Sequence, residues 1–387
     1  MTFTGSIDTY ASWQAFAVQS AAIKPPVVRL TRPEYEALDA TQRRRLDLVR
    51  SVAVANIPKV ETPMAVQAAK TIERTLRANT FNTDPGVRTG LFLSAPSSYG
   101  KSTLMRELAA RFEADVREVN DYHPLRPDYA DVWVPVAWVP LSASPTITAL
   151  CRRILEFFGE GHSTARATEA LLTQRVLGVL RDCGTKLLVL DDITRLKMHR
   201  EADVNVADFV RELQESSCTI MGLGVDVEGS GILNEGETSW HEKRLLTQTR
   251  RRFVNVTLDR FYYDTDEHID AFTDHVTQML RSVPLLDQPD TVHPSLVSAL
   301  YARTQGVIGP LATLITHAAI DALLTDDERI TVESVQRIQL DVASEQDQGT
   351  VLRPVARTVR VRPQAQRKNR NRVFDGANPG TLTEVVA

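Results

Sequence analysis

The stretch Gly90–Thr103 reads GLFLSAPSSYGKST. Gly90–Ser94 is a short apolar run of the kind that forms a buried strand, and from Lys101 the pattern turns helical over Lys101–Glu113. Between them stand Ala95, Pro96, Ser97, Ser98, Tyr99, Gly100, Lys101, Ser102 and Thr103. They match G-x-x-x-x-G-K-[ST] at every required position except the first, where Ala95 replaces glycine. A strand that ends in a tight turn and enters a helix exposes successive backbone N–H groups at the positive end of the helix dipole, which makes a seat for phosphate. Gly100 lets the backbone approach closely. Lys101 places a charge on the β- and γ-phosphates, Ser102 offers its hydroxyl to Mg²⁺, and Thr103 falls near the α-phosphate. If the first position requires a positive φ, Ala95 carries strain of about 1 kcal/mol or more.

A second element of the same chemistry lies at Lys186–Asp192, KLLVLDD. A buried apolar strand, Lys186–Leu190, ends in two carboxylates about as far along the chain as a nucleotide site requires. Asp191 is placed to hold Mg²⁺, directly or through water, and Asp192 to orient an attacking water.

Working outward, strands and helices alternate in the manner of an α/β fold. Val132–Leu141, Cys218–Leu223 and Arg252–Leu258 read as further strands. Ile147–Phe158, Ala165–Cys183 and Asn205–Ser216 read as helices. Strands this short and apolar on both faces belong to a parallel sheet covered by helices on each side. Upstream, Thr62-Pro63 marks a helix start, with Thr as N-cap and Pro at the first helical position, running to about Arg77. Residues 1–60 read as an N-terminal extension holding one helix, Glu34–Val52. After Tyr262 the strands stop, and Asp266–Leu280, His293–Arg303, Gly309–Leu324 and Thr331–Leu340 read as four helices. The expected division is an extension over 1–60, an α/β nucleotide-binding domain over 61–262, a small helical lid domain over 263–346 and a flexible basic tail over 347–387.

Composition agrees with a globular chain: 387 residues, 43% apolar and 24% charged. Cys151, Cys183 and Cys218 stand far apart, which gives neither a metal-site spacing nor an even set for pairing and points to reduced thiols in a cytoplasmic protein. The first twenty residues lack a basic segment followed by an apolar run, so no leader is expected. No stretch approaches the roughly 18 apolar residues of a membrane span, so no membrane partner is expected. The net charge of −4 is uneven: Gln348–Ala387 carries eight Lys/Arg against two Asp/Glu, a net +6, which leaves −10 on the remainder.

Taken together, GLFLSAPSSYGKST, VPLSASPTITALCRRIL, LLVLDDITRLKMHREADVNVADFVREL, TIMGLGVDVEGSGIL, RRRF and RTQGVIGPLATLITHAAIDAL resemble the TniB/TnsC-like AAA+ regulators of DNA transposition, of the type carried by actinobacterial mobile elements. The resemblance extends over about residues 60–345. It implies an α/β P-loop NTPase core of the AAA+ type with a parallel sheet, followed by a small helical lid domain. It also implies ATP and Mg²⁺ as cofactors, ATP hydrolysis, homo-oligomeric rings or filaments on double-stranded DNA, and recruitment of a DDE-type transposase.

In such proteins Glu usually stands where this chain has Asp192. Asp is shorter by one methylene, roughly 1.5 Å, and a misplacement of about 1 Å can cost 10²-fold in rate, so slow hydrolysis is expected. An Arg before the last core strand usually reaches a neighbouring subunit's nucleotide. Arg252 is the first candidate here, then Arg251 and Arg250. The strand Thr219–Gly224 offers no Asn or Thr toward the γ-phosphate. Gln305–Pro310 would sit near the adenine, but the Arg usual at the start of the following helix is missing. DNA would meet the Lys197–Arg200 loop, the loop before Ile147, or the basic tail. Two other readings stay open: a helicase loader or replication initiator of the same superfamily, and a nucleotide-gated scaffold without useful turnover.

Overall fold

Burial on both faces governs the central layer. β1 (Gly90–Ser94), β2 (Val136–Pro140), β3 (Leu187–Asp191), β4 (Thr219–Gly224) and β5 (Phe253–Thr257) form one sheet in the order β2-β3-β4-β1-β5, and every pairing is parallel. Leu91, Leu93, Leu187–Leu190, Ile220 and Met221 have no exposed surface, as strands covered by helices on both sides require. The computed structural model describes residues 5–21, 29–84, 86–141, 146–161, 167–195, 209–210, 212–214, 216–227 and 251–341. Asn205–Ser216 lies partly outside these ranges. The tail, Arg250, Lys197–Arg200 and Ser142–Pro145 lie wholly outside them.

The helices that precede or interleave the strands include α1 (Tyr10–Ala21), α2 (Arg32–Glu36), α3 (Ala40–Ala55), α4 (Pro63–Phe81), α5 (Lys101–Val119), α6 (Ile147–Phe157) and α7 (Glu169–Asp182). Threonine side chains set several of the starts. Thr62, Thr146 and Thr168 each accept a backbone N–H of the first helical turn and so satisfy a donor that the helix leaves open. The Thr168 cap starts α7 at Glu169, not at Ala165. The helix read from Thr62-Pro63 continues to Phe81, beyond Arg77, and the one read over Lys101–Glu113 continues to Val119. The strand expected over Val132–Leu141 narrows to Val136–Pro140. Ahead of it, the Val134 N–H is taken by the carbonyl of Cys183 and not by a neighbouring strand.

The first sixty residues depart furthest from expectation. The helix read over Glu34–Val52 is two helices. Asp39 and Gln42 form a reciprocal capping box that starts α3 afresh after the short α2. The earlier helix, α1, lacks the apolar periodicity that would mark it in the sequence. Trp13 of α1 has no exposed surface, stacks at 6.0 Å on Trp138 of β2, and donates its indole N–H to Glu113 of α5. The buried cluster around the sheet therefore begins at Ile7 and runs to Leu258.

After the sheet come α8 (Asp266–Arg281), α9 (Pro294–Thr304), α10 (Ile308–Leu324) and α11 (Val332–Arg337). Their apolar faces close a second cluster that runs from Phe261 to Val335 and includes Val54 from α3. Among the described residues no helix is long and apolar enough to cross a membrane.

Candidate nucleotide-binding site

In an open parallel sheet, ligands gather at the carboxyl ends of the strands. β1 ends at Ser94, and the chain turns through Ala95–Gly100 into α5. Positive φ falls at Ser98 (67°) and Gly100 (86°), and Ala95 is not among the positive-φ residues. The strain expected at Ala95 is therefore absent, because the turn's left-handed positions lie further along. The Ala95 N–H is held instead by the Gly224 carbonyl at 3.2 Å. Gly100 is the position where a side chain would be strained, and it stands at the helix start.

Lys101 is buried, and its ammonium donates to the carbonyls of Ala95 (2.7 Å) and Pro96 (2.8 Å). Burial lowers its pKa, while Asp192 and then Asp191 act to raise it. The Ser102 hydroxyl donates to Asp191 Oδ1 at 3.1 Å, so the turn and the acidic strand end meet as the sequence spacing required. Desolvation raises the Asp191 pKa, opposed by that hydrogen bond. Asp192 sits at φ 65°, a left-handed conformation that carboxyl side chains tolerate better than most.

The residues fit a magnesium nucleotide. The turn opens a nineteen-residue helix, Lys101 would supply the cation, and Ser102 with Asp191 could supply two hard oxygen ligands to Mg²⁺. No cluster of three or more His, Cys, Asp or Glu suited to a metal occurs among the described residues.

A cavity of about 820 Å³ opens beside the turn. Ser98–Leu104 form one wall, Ile57–Thr62 a strap before α4 form another, and Ile308–Pro310 with Ala312, Thr313 and Thr316 of α10 form a third. The lid meets the turn directly: the Gly309 N–H donates to the Ser98 carbonyl at 2.9 Å. Gln305–Pro310 thus reaches the turn. The strap spans the expected boundary between the extension and the α/β domain at residue 60, and the sequence pattern does not mark it as a cavity wall. Its local marks are Pro58 and the Thr62 cap. Lys59 pairs with Glu107 of α5 at 2.6 Å across the cavity rim.

Two further residues were not anticipated. The Thr194 hydroxyl accepts the Val225 N–H at 3.4 Å, and its methyl group fills the space beside Gly224 at the end of β4. This puts a hydroxyl next to a strand end that lacks one of its own. His275 of α8 lines the cavity. Arg252, by contrast, is not brought to the phosphates of its own chain. Gly90 pairs with Phe253 and Ser94 with Thr257, so Arg252 lies at the opposite end of the sheet from the turn, roughly 16 Å of strand away. Arg251 is exposed beside it.

This sheet order, phosphate turn, acidic strand end and helical lid define a P-loop NTPase of the AAA+ class. Residues 57–239 match the family model described as "Bacterial TniB protein", and over that region the chain is TniB-like. No curated protein sequence matches the chain. Among solved structures, the chain is similar to Cdc6p from Pyrobaculum aerophilum (13% identity, TM-score 0.51), with 72% of this chain and 66% of that one covered. It is also similar to the Aeropyrum pernix ORC1 protein in complex with DNA (16% identity, TM-score 0.53), with 77% of this chain and 69% of that one covered. The chain thus spans about two thirds of each, and at these identities the likeness concerns the fold.

Proposed function

We propose that the chain is an ATP-dependent regulator of DNA transposition, which assembles as a homo-oligomer on double-stranded target DNA and recruits a DDE-type transposase. The observation that carries this reading is the Ser102–Asp191 contact beside Lys101, within a region that matches the TniB family. In this reading Ala95–Thr103 hold the phosphates of ATP, and Ser102 and Asp191 hold Mg²⁺. The bound magnesium nucleotide supplies an electrophilic γ-phosphorus and a charge that its metal neutralises. Asp192 accepts a proton from the attacking water and orients it, and Lys101 leaves its two carbonyl partners to meet phosphate oxygens. Arg252 acts on a neighbouring subunit, since it lies at the far end of the sheet from its own turn. DNA binding is supported by the family match and by a fold shared with a protein solved on DNA.

One observation favours a second reading, a nucleotide-gated scaffold with little turnover. Asp192 is short for a water-orienting base, and no Arg opens α10, whose first residues are Ile308, Gly309 and Pro310.

Electron microscopy of the full chain with a non-hydrolysable ATP analogue, with and without duplex DNA, tests the proposal. Rings or filaments that require both nucleotide and DNA are expected, and a monomer under every condition would remove the assembled regulator and the trans-acting Arg252. Phosphate release stimulated by DNA and lost in Asp192→Asn would exclude the scaffold, while negligible release in both would favour it.

A further inference from the structure

The cavity beside the phosphate turn carries a polar group that phosphate chemistry does not use. His275 lies on α8 four residues before Met279, on the same helical face, and both side chains line the cavity. The imidazole is 3% exposed and packs at a tilt against Phe261, with ring centroids 4.9 Å apart. Neither Nδ1 nor Nε2 has a hydrogen-bond partner among the described residues. Buried polar atoms are ordinarily paired, so a ring with both nitrogens unanswered calls for an explanation, and an absent ligand is one. Desolvation lowers its pKa to about 4, so the ring is neutral at pH 7 and offers one donor and one acceptor. The cavity around it is walled by Ile57, Val60, Leu258 and Ile308, apolar surfaces suited to a flat heteroaromatic ring.

We infer that His275 reads the base of the nucleotide: an imidazole nitrogen accepts a hydrogen bond from the 6-amino group of adenine seated between the Ile57–Thr62 strap and α10. The inference rests on the nucleotide reading above and assigns its base selectivity to a lid residue. It involves no covalent step. Phe261 backs the ring, and the strap and α10 bring the base to it.

Calorimetry on the full chain tests it with ATP, with purine riboside 5′-triphosphate (which lacks the 6-amino group) and with tripolyphosphate. The wild-type chain is expected to bind ATP up to about tenfold more tightly than the analogue, the scale of one hydrogen bond. His275→Phe should lower ATP affinity to that of the analogue and leave tripolyphosphate binding unchanged. His275→Gln, which keeps an acceptor, should retain part of the preference. Equal wild-type affinity for ATP and the analogue overturns the inference, and that comparison needs no variant. Unchanged ATP affinity in His275→Phe overturns it too, as does a parallel loss of tripolyphosphate binding, which would mean that the ring acts through the fold. If Lys101→Ala binds ATP as well as wild type does, the nucleotide reading itself fails. Lys101-dependent binding without base preference removes His275 alone.

Discussion

Lys101 illustrates how a single residue carries two states. Its ammonium is satisfied by the Ala95 and Pro96 carbonyls, which keeps a buried cation paired, and in the proposed function phosphate oxygens replace them. Arg106 donates to the Ser102 carbonyl at 2.9 Å, but Lys101 is the cation held by the Ala95 and Pro96 carbonyls, so Lys101→Ala is expected to abolish measurable ATP binding while leaving the fold intact. Titration calorimetry with a circular-dichroism control checks this. His275 makes a pH prediction. Its folded pKa of about 4 lies below the ordinary 6.5, so between those values the unfolded chain binds the extra proton. Its contribution to stability is complete above pH 6.5 and declines as pH falls toward 4. Melting temperatures at pH 7 and pH 5 should therefore fall less for His275→Phe than for wild type, and equal losses would refute the assignment. Ala95 shows the opposite case, a residue that the motif marked as strained and the backbone does not strain.

At the scale of elements, the seam between the phosphate turn and α10 decides whether a cavity exists. A Cβ on Gly309 would stand 2.6 Å from the Ser98 carbonyl oxygen, so the lid helix reaches the turn only because that side chain is missing. Gly309→Val should force α10 off the turn and cost about 1–3 kcal/mol, the range for overpacking. Urea denaturation checks the stability, and weakened ATP affinity should accompany it. Element boundaries shifted for reasons of the same local kind. The Thr168 cap and the Asp39–Gln42 capping box are visible in the residues themselves. They compete with apolar periodicity, which runs on past them and made α2 and α3 read as one helix.

Across the whole molecule, the first sixty residues tie the two cores together. Arg50 of α3 is 2% exposed. It pairs with the equally buried Glu328 beyond α10 and donates to the Pro284 carbonyl at 2.8 Å. Glu328 also accepts the Leu286 N–H at 2.9 Å. A buried pair adds little net stability, but breaking one strands a charge, which Asp47, 3.1 Å from the Arg50 guanidinium and more exposed, answers only in part. Glu328→Ala should therefore destabilise the chain by about 3–5 kcal/mol in chemical denaturation, and a double replacement, Arg50→Met with Glu328→Leu, should recover much of the loss. Since α3 leads into the strap that lines the cavity, the same break should weaken nucleotide binding. A segment that reads as an appendage thus becomes a wall of the site.

The amino-acid sequence alone determined the phosphate turn, the carboxylate-ended strand, the parallel α/β layering and the helical lid. Each of these is written in residues adjacent in the chain, where periodicity of two or 3.6 and fixed motif spacing act directly. Tertiary structure alone decided that Trp13 enters the core 100 residues from Glu113, that Ile57–Thr62 closes the cavity, that His275 faces it, and that Arg252 stands at the opposite end of the sheet from the turn of its own chain. Those facts depend on which distant surfaces pack together. Packing rewards shape and buried area between residues far apart in the chain, and it leaves no repeating pattern in either partner.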